Sequence, residues 1–252
     1  MDHRQRSRRT MSTSFLRPRG RWQMAQKWHH VLFAHWPISA EALRVVIPSA
    51  LEIDTFEGQA WLGITAFRLT GARPRGLPPL PGISSFPELN VRTYVRLGKR
   101  SGVWFLSLDA SGLLAVAVAR RLYHLPYFRA RMKMHVRGGN IEYESHRRDG
   151  TAPPAEFRAD YRPGGPVFRA QPGTLEHFLT ERYCLFAAGD RQLFRADIAH
   201  RPWPLQRAEA KFDLNTMAEA HELALPDVAP HLLYGKRVDV KVWALQPCGR
   251  DA

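Results

Sequence analysis

The sequence predicts a single, mainly antiparallel β domain of the α+β class, a closed or nearly closed barrel with a few covering helices. Three observations carry that prediction. Short runs rich in β-branched and aromatic residues recur from about residue 31 to 245, several alternating apolar and polar at a period of two. Turn-forming Gly, Pro, Asn and Asp clusters separate them at short intervals, and helical spacing appears only in brief segments. No linker, repeat or low-complexity stretch divides the body, and 252 residues suit one large β domain.

Taken in order, "VLFAHW" (31–36) reads as a strand ended by Pro37. "SAEALRVVIP" reads as a short helix with Ser39 as its N-cap, Glu41 in the first turn and Pro48 closing it. "LEIDTF" and "AWLGITAFRLTG" read as a hairpin turning at Glu57 and Gly58. Prolines 74, 78, 79, 81 and 87, with Gly76 and Gly82, predict a long loop over 72–87. "ELNVRTYVRL" (88–97) alternates, with Leu89, Val91, Thr93, Val95 and Leu97 on one face and Glu88, Asn90, Arg92, Tyr94 and Arg96 on the other. "GVWFLSLDA" follows as an apolar strand, then "SGLLAVAVARRLY" as a buried helix stopping before Pro126, bracketed by Asp109 and Arg120 as a cap or ion pair. "FRARMKMHV", "NIEYESHRR" and "AEFRADYRP" form a meander. "GTLEHFLTERYCLFA" (173–187) has helical spacing with Thr174 as cap, and "LFRADIAH", "AEAKFDL" and "RVDVKVWAL" are strands around a short helix, "TMAEAHEL".

Composition narrows the function classes. Hydrophobic residues make up 44% and charged ones 24%, and no apolar run approaches the length of a membrane helix, so no membrane partner is expected. Cys184 and Cys248, without Cys-x-x-Cys spacing, suggest neither a disulfide framework nor a zinc site, and a cytoplasmic location is expected. Of the formal charge of +14, a large share lies in residues 1–21, where seven arginines face one aspartate. With that tail set aside, no basic recognition helix or stacking motif supports nucleic acid as a partner. The expected organisation is a disordered Arg-rich extension over 1–24, one domain over 25–247 and a tail over 248–252. The eleven histidines fit no metal-ligand spacing, so no metal is expected. Absence of a phosphate loop, a dinucleotide fingerprint or a Gly-x-Ser-x-Gly elbow argues against a cofactor and a serine nucleophile. An exposed strand edge or the Pro-rich loop leaves a homo-oligomer open.

The strand over 88–97 holds the first candidate site. If its Leu/Val face packs against covering elements, Glu88, Asn90, Arg92 and Tyr94 project into the barrel, where a carboxylate and a guanidinium can orient a small polar ligand. The same face on a half-buried sheet would look at water instead.

The segments "FAHWPISAEALRVVIPSALEIDTFEGQAWLGI", "FPELNVRTYV", "VWFLSLDA", "LPYFRARM", "LTERYCLF" and "HRPWPLQ", in this order over roughly 28–245, resemble the YqjF-like or DUF2071 family. More distantly, "EALRVVIPSALEID" and "ARRLYHLPYFRARM" are similar to acetoacetate decarboxylase, which implies that enzyme's cone-shaped β-barrel with a buried pocket. The resemblance places Tyr127 and Phe128 where the decarboxylase carries its Schiff-base lysine and the lysine that activates it. Imine chemistry needs an amine, so decarboxylation by that route is not expected. The resemblance also aligns Glu88 with the enzyme's pocket glutamate and brings its pocket arginine near His29 or His30. Lys133 falls away from the catalytic position. His200, Trp203 and Gln206 in "HRPWPLQ" are further lining candidates. The expectation is a cofactor-independent pocket protein for a small carbonyl or carboxylate compound. Glu88 and Tyr127 are its candidate base and hydrogen-bond donor, with Arg92, Asn90, Tyr94, His29, His30 and Trp203 binding the ligand. The alternative is a non-catalytic small-molecule-binding or interaction protein on the same barrel.

Overall fold

The computed structural model describes residues 18, 20–189 and 192–249; most of the expected N-terminal extension and the end of the tail lie outside the described residues. In chain order the elements are β1 (Met24–Ile38), α1 (Ala40–Arg44), β2 (Glu52–Ile53), β3 (Ala60–Pro74), β4 (Phe86–Leu97), β5 (Arg100–Ala110) and α2 (Leu113–Tyr123). Then follow β6 (Tyr127–Arg137), β7 (Asn140–Arg147), β8 (Glu156–Phe168), α3 (Leu175–Thr180), β9 (Cys184–Gly189), β10 (Gln192–Ala199), β11 (Leu205–Asn215), a 3-10 turn (Glu219–His221), β12 (His231–Val242) and β13 (Gln246–Pro247).

All strands join one sheet in the order β13-β10-β9-β5-β6-β7-β8-β11-β12-β1-β3-β4-β2, with β4 also bonded to β5 and β10 to β12. Two hydrogen-bonded successions therefore return to their first strand. One runs β4-β5-β9-β10-β12-β1-β3-β4, the other β5-β6-β7-β8-β11-β12-β1-β3-β4-β5. Pairing is antiparallel except where β5 meets β6 and β9. Parallel neighbours need a crossover, and α2 supplies the one between β5 and β6.

The strands shared by both successions are buried on both faces. Leu32, Ala34, Leu62, Ile64, Leu89 and Val91 pack in one core with Tyr143, Phe157 and Tyr161 of the meander. Val31, Phe33, Phe67, Tyr94, Val103 and Phe105 pack in the other with Leu179, Leu185, Ile198 and Trp203. Burial of every residue from Glu88 to Val95 follows from this double layer, and it removes the solvated alternative for the polar face of β4. The meander β6-β7-β8 is as expected, and its outward positions are charged.

Several local expectations need correction. The Glu57-Gly58 turn forms with positive φ at both residues and bonds Phe56 to Gln59, but β2 is only two residues long and pairs with β4 rather than β3. β3 runs on through Pro74, so the Pro-rich loop is confined to 75–85. α2 is only half covered: Leu122 is 59% exposed beside exposed Arg120 and Arg121. The helix read over 173–187 stops at Thr180, and Cys184–Gly189 is a strand bonded to β10. A short apolar run such as "CLFAA" suits a buried strand as well as a helix, and here strand partners were available. The caps hold: Ser39 Oγ accepts from Ala42 N and Thr174 Oγ1 from His177 N.

Candidate functional site

β4 sets the site. Its side chains at 88, 90, 92 and 94 enter the core between the shared strands and β9-β10, spaced by about 7 Å along the strand. Cross-strand partners are Phe67 for Glu88, Thr65 for Asn90 and Gly63 for Arg92.

Glu88 is 3% exposed and has no cationic partner among the described residues. Its one side-chain bond is from Tyr127 Oη to Oε2 at 3.1 Å. Burial raises its pKa to about 8, and the tyrosine bond pulls the other way by less. The group is thus mostly a neutral acid near pH 7, able to give or take a proton there. Tyr127 is pushed well above the ordinary phenol range by its own burial and by the carboxyl beside it, so it stays a donor. Two contacts fix the pair: Tyr143 Oη donates to the Glu88 carbonyl at 2.7 Å, and Tyr127 is registered opposite Leu108 at the start of β6. Strand alternation sends Phe128 to the opposite face, where it lies 4.5 Å beneath the Arg147 guanidinium.

Arg92 occupies the far end of the strip. It is 6% exposed and forms no ion pair among the described residues. Its Nη2 donates to the Leu179 carbonyl at 3.2 Å, and the guanidinium lies 5.4 and 5.9 Å from the Phe33 and Tyr94 ring centres. Its Nε has no partner among the described residues, and neither do Thr65 Oγ1 and Asn90 Oδ1 midway along the strip. Buried polar groups are rarely left so, and here a row of them faces one core. Tyr94 donates to the Leu179 carbonyl at 2.8 Å, while Arg182 bridges from its ring to Asp54, bonded at 2.6 Å.

The structure brings Glu88, Tyr127, Asn90, Arg92 and Tyr94 to one face. Trp203 lies on the same core, 1% exposed, against Phe33 and Trp28, with its backbone N–H bonded to Glu181. His29 and His30 are elsewhere. His29 Nε2 pairs with Thr70 Oγ1 at 2.9 Å, and His30 Nδ1 pairs with the Tyr234 hydroxyl at 2.7 Å, in the other core. The cause is a bulge in β1 between His29 and Leu32, where His30 takes a φ of 51°. That bulge shifts the phase, and the histidine it delivers to the Arg92 face is His35, which the sequence reading passed over. Its signal was present: His35 follows Val31 and Phe33 at period two.

His35 is fully buried, with Nε2 2.7 Å from Tyr94 Oη. Because the tyrosine proton goes to Leu179, Nε2 is the donor in this contact and Nδ1 is an unprotonated lone pair. Burial, then the Arg92 charge, hold the ring's pKa well below the usual histidine range, so it is neutral. Also missed was the pair Asp109–Arg147, 2.8 Å apart and all but inaccessible to water. Burial raises Asp109 to about 6 against the opposing pull of Arg147. The helix-bracketing pair expected between Asp109 and Arg120 is therefore replaced by two pairs, since Arg120 binds Asp149. Lys133 lies in an exposed groove with Arg131, Glu144, His146 and Arg148 on the outer face of the meander.

No helix among the described residues is long and apolar enough to cross a membrane. Several solved structures share the fold at low identity. The enduracididine biosynthesis enzyme MppR, complexed with the condensation product of pyruvate and imidazole 4-carboxaldehyde, superposes with a TM-score of 0.64 at 10% identity, covering 89% of this chain and 88% of that one. Acetoacetate decarboxylase from Legionella pneumophila gives 0.60 at 12% identity, covering 94% and 93%. An acetoacetate decarboxylase-like enzyme from Sphingomonas wittichii RW1 gives 0.60 at 13%, covering 94% and 98%. In sequence, the uncharacterized protein YqjF of Bacillus subtilis (strain 168) is 47% identical over 229 residues, 91% of this chain and 94% of that protein. The pattern of DUF2071, described as an uncharacterized conserved protein, matches residues 25–239, and the chain belongs to the DUF2071 family.

Proposed function

We propose that the succession β4-β5-β9-β10-β12-β1-β3 is a closed barrel whose interior binds a small carbonyl or carboxylate compound, and that Glu88 performs general acid/base chemistry on it without a cofactor. The observation that carries this reading is the pairing, on one buried strand face, of a carboxyl raised to about 8 with an arginine that lacks an acidic partner among the described residues. A buried guanidinium without an anion is costly, and a ligand carboxylate would supply the missing charge. Glu88 would then move a proton on the reacting carbon or oxygen, and the Tyr127 hydroxyl would donate to the oxygen on which charge develops.

The Schiff-base route is outside this proposal, because tyrosine and phenylalanine occupy positions 127 and 128 and Lys133 is on the outer surface. Among the structural neighbours, MppR is complexed with pyruvate or with a pyruvate condensation product, which supports a small carboxylate as the class to screen.

The test is a thermal-shift and turnover screen of keto acids, hydroxy acids, aldehydes and lactones. A ligand at 100 times its dissociation constant should stabilise the fold by about 2.7 kcal/mol. Glu88→Gln should keep binding and lose turnover, and Arg92→Met should lose binding of carboxylates only. A ligand that binds wild type and Glu88→Gln alike, with no turnover by either, would instead make the protein a non-catalytic binder.

A further inference from the structure

The interior strip has more free hydrogen-bonding capacity than proton transfer at Glu88 uses, and that capacity is sorted by chemistry. Gly63 lies opposite both His35 on β1 and Arg92 on β4. A Cβ at Gly63 would sit 2.8 Å from His35 Cδ2 and Nε2 and 3.5 Å from Arg92 Cγ. The absent side chain is what lets an imidazole and a guanidinium share this spot. Arg92 Nε there is a charged donor and His35 Nδ1, in the tautomer that donates from Nε2 to Tyr94, a lone pair, and neither has a partner among the described residues. Next along the strip, Asn90 Oδ1 is a second unmatched acceptor, and Thr65 Oγ1 can take either role.

A guest must therefore bring both an anion for Arg92 and a donor for the acceptors. A plain 2-keto acid brings only acceptors, so it would bury the His35 lone pair unmatched, which is the kind of mismatch that discriminates substrates most strongly. An ammonium group could donate but would sit beside Arg92, with Arg182 near enough to repel it as well. A hydroxyl next to a carboxylate meets every condition.

Resting on the reading of this strip as a small-molecule pocket, we propose that His35 is a specificity residue which, with Arg92 across Gly63, selects a 2-hydroxycarboxylate over the matching keto acid. The ligand carboxylate accepts from Arg92 Nε, and its hydroxyl donates to His35 Nδ1. Tyr94 is the positioning residue: its oxygen takes the Nε2 proton and so keeps Nδ1 free.

The experiment compares affinities for lactate, pyruvate and propionate, and for 2-hydroxybutyrate, 2-oxobutyrate and butyrate, by calorimetry on wild type, His35→Gln and Arg92→Met. Both hydroxy-acid enantiomers are included. Wild type should favour one hydroxy acid about tenfold over its keto and unsubstituted partners, the worth of one good buried hydrogen bond. His35→Gln keeps a donor toward Tyr94 but lacks the second nitrogen, so it should erase that preference and leave keto-acid binding within about twofold. Equal binding of all three classes by wild type, or a preference that survives His35→Gln, overturns the role of His35 while leaving the pocket intact. Failure of every acid to bind wild type, or binding unchanged in Arg92→Met, overturns the pocket itself and this inference with it. Should His35→Gln not fold, imidazole 15N spectra of the wild type decide: an unprotonated Nδ1 on His35 supports the assignment, and a protonated one refutes it.

Discussion

At the scale of single residues, the site is built from charges that burial has made expensive. Glu88 has a folded pKa of about 8 against an ordinary 4.5, so the folded state holds the proton more tightly and stability falls as pH rises through that window. The full span corresponds to a loss on the order of 5 kcal/mol. Melts of Glu88→Gln should therefore match wild type near pH 4 and exceed it above pH 8; equal stability at both ends would mean the carboxyl is solvated. Arg92→Met removes a buried guanidinium that has no carboxylate partner among the described residues, and it should leave stability unchanged or raise it by about 1 kcal/mol in denaturant titrations. A loss of several kcal/mol there would mark Arg92 as structural. The alternation of Glu88, Asn90, Arg92 and Tyr94 was legible in sequence because a strand has period two. Their burial was not, since it depends on β9 and β10, about 90 residues or more further along the chain. The placement of His29 and His30 was illegible for a different reason: a bulge at a non-glycine residue with positive φ leaves no mark in composition.

At the scale of elements, β1 and β3 must approach closely enough for His35 to lie over Gly63, and this sets a second expectation. Gly63→Ala would push a methyl group into the imidazole at 2.8 Å, which should cost about 1–3 kcal/mol as overpacking and weaken carboxylate binding together. Chemical denaturation and ligand titration of the same preparation check both; an unperturbed protein would show that the imidazole is free to move away. α1 and its Ser39 cap were readable because capping is local chemistry. Ser39→Ala should cost about 1 kcal/mol by the same measurement. The stretch after Thr180 was misread because helix spacing and a buried apolar strand coincide over so few residues, and the choice between them was made by the pairing of Phe186 with Arg195 and of Leu185 with Val103.

Across the whole molecule, β1, β3, β4, β5 and β12 serve two cores at once, and that is the physical origin of the site. One face closes over the meander with aromatic and aliphatic side chains; the other, under β9, β10 and α3, keeps Glu88, Asn90, Arg92, Thr65 and His35 away from water. A mainly antiparallel domain was legible from strand spacing, and the family from its ordered motifs, whereas the layer that dries the polar face is a product of tertiary pairing alone. Burial in this layer makes Glu88 a neutral acid near pH 7. The most direct measurement is a 13C NMR titration of the glutamate carboxyls, with Glu88 assigned by its absence in Glu88→Gln. A midpoint near 8 is the result expected; a midpoint near 4.5 would show water at the carboxyl and rule out a buried neutral acid.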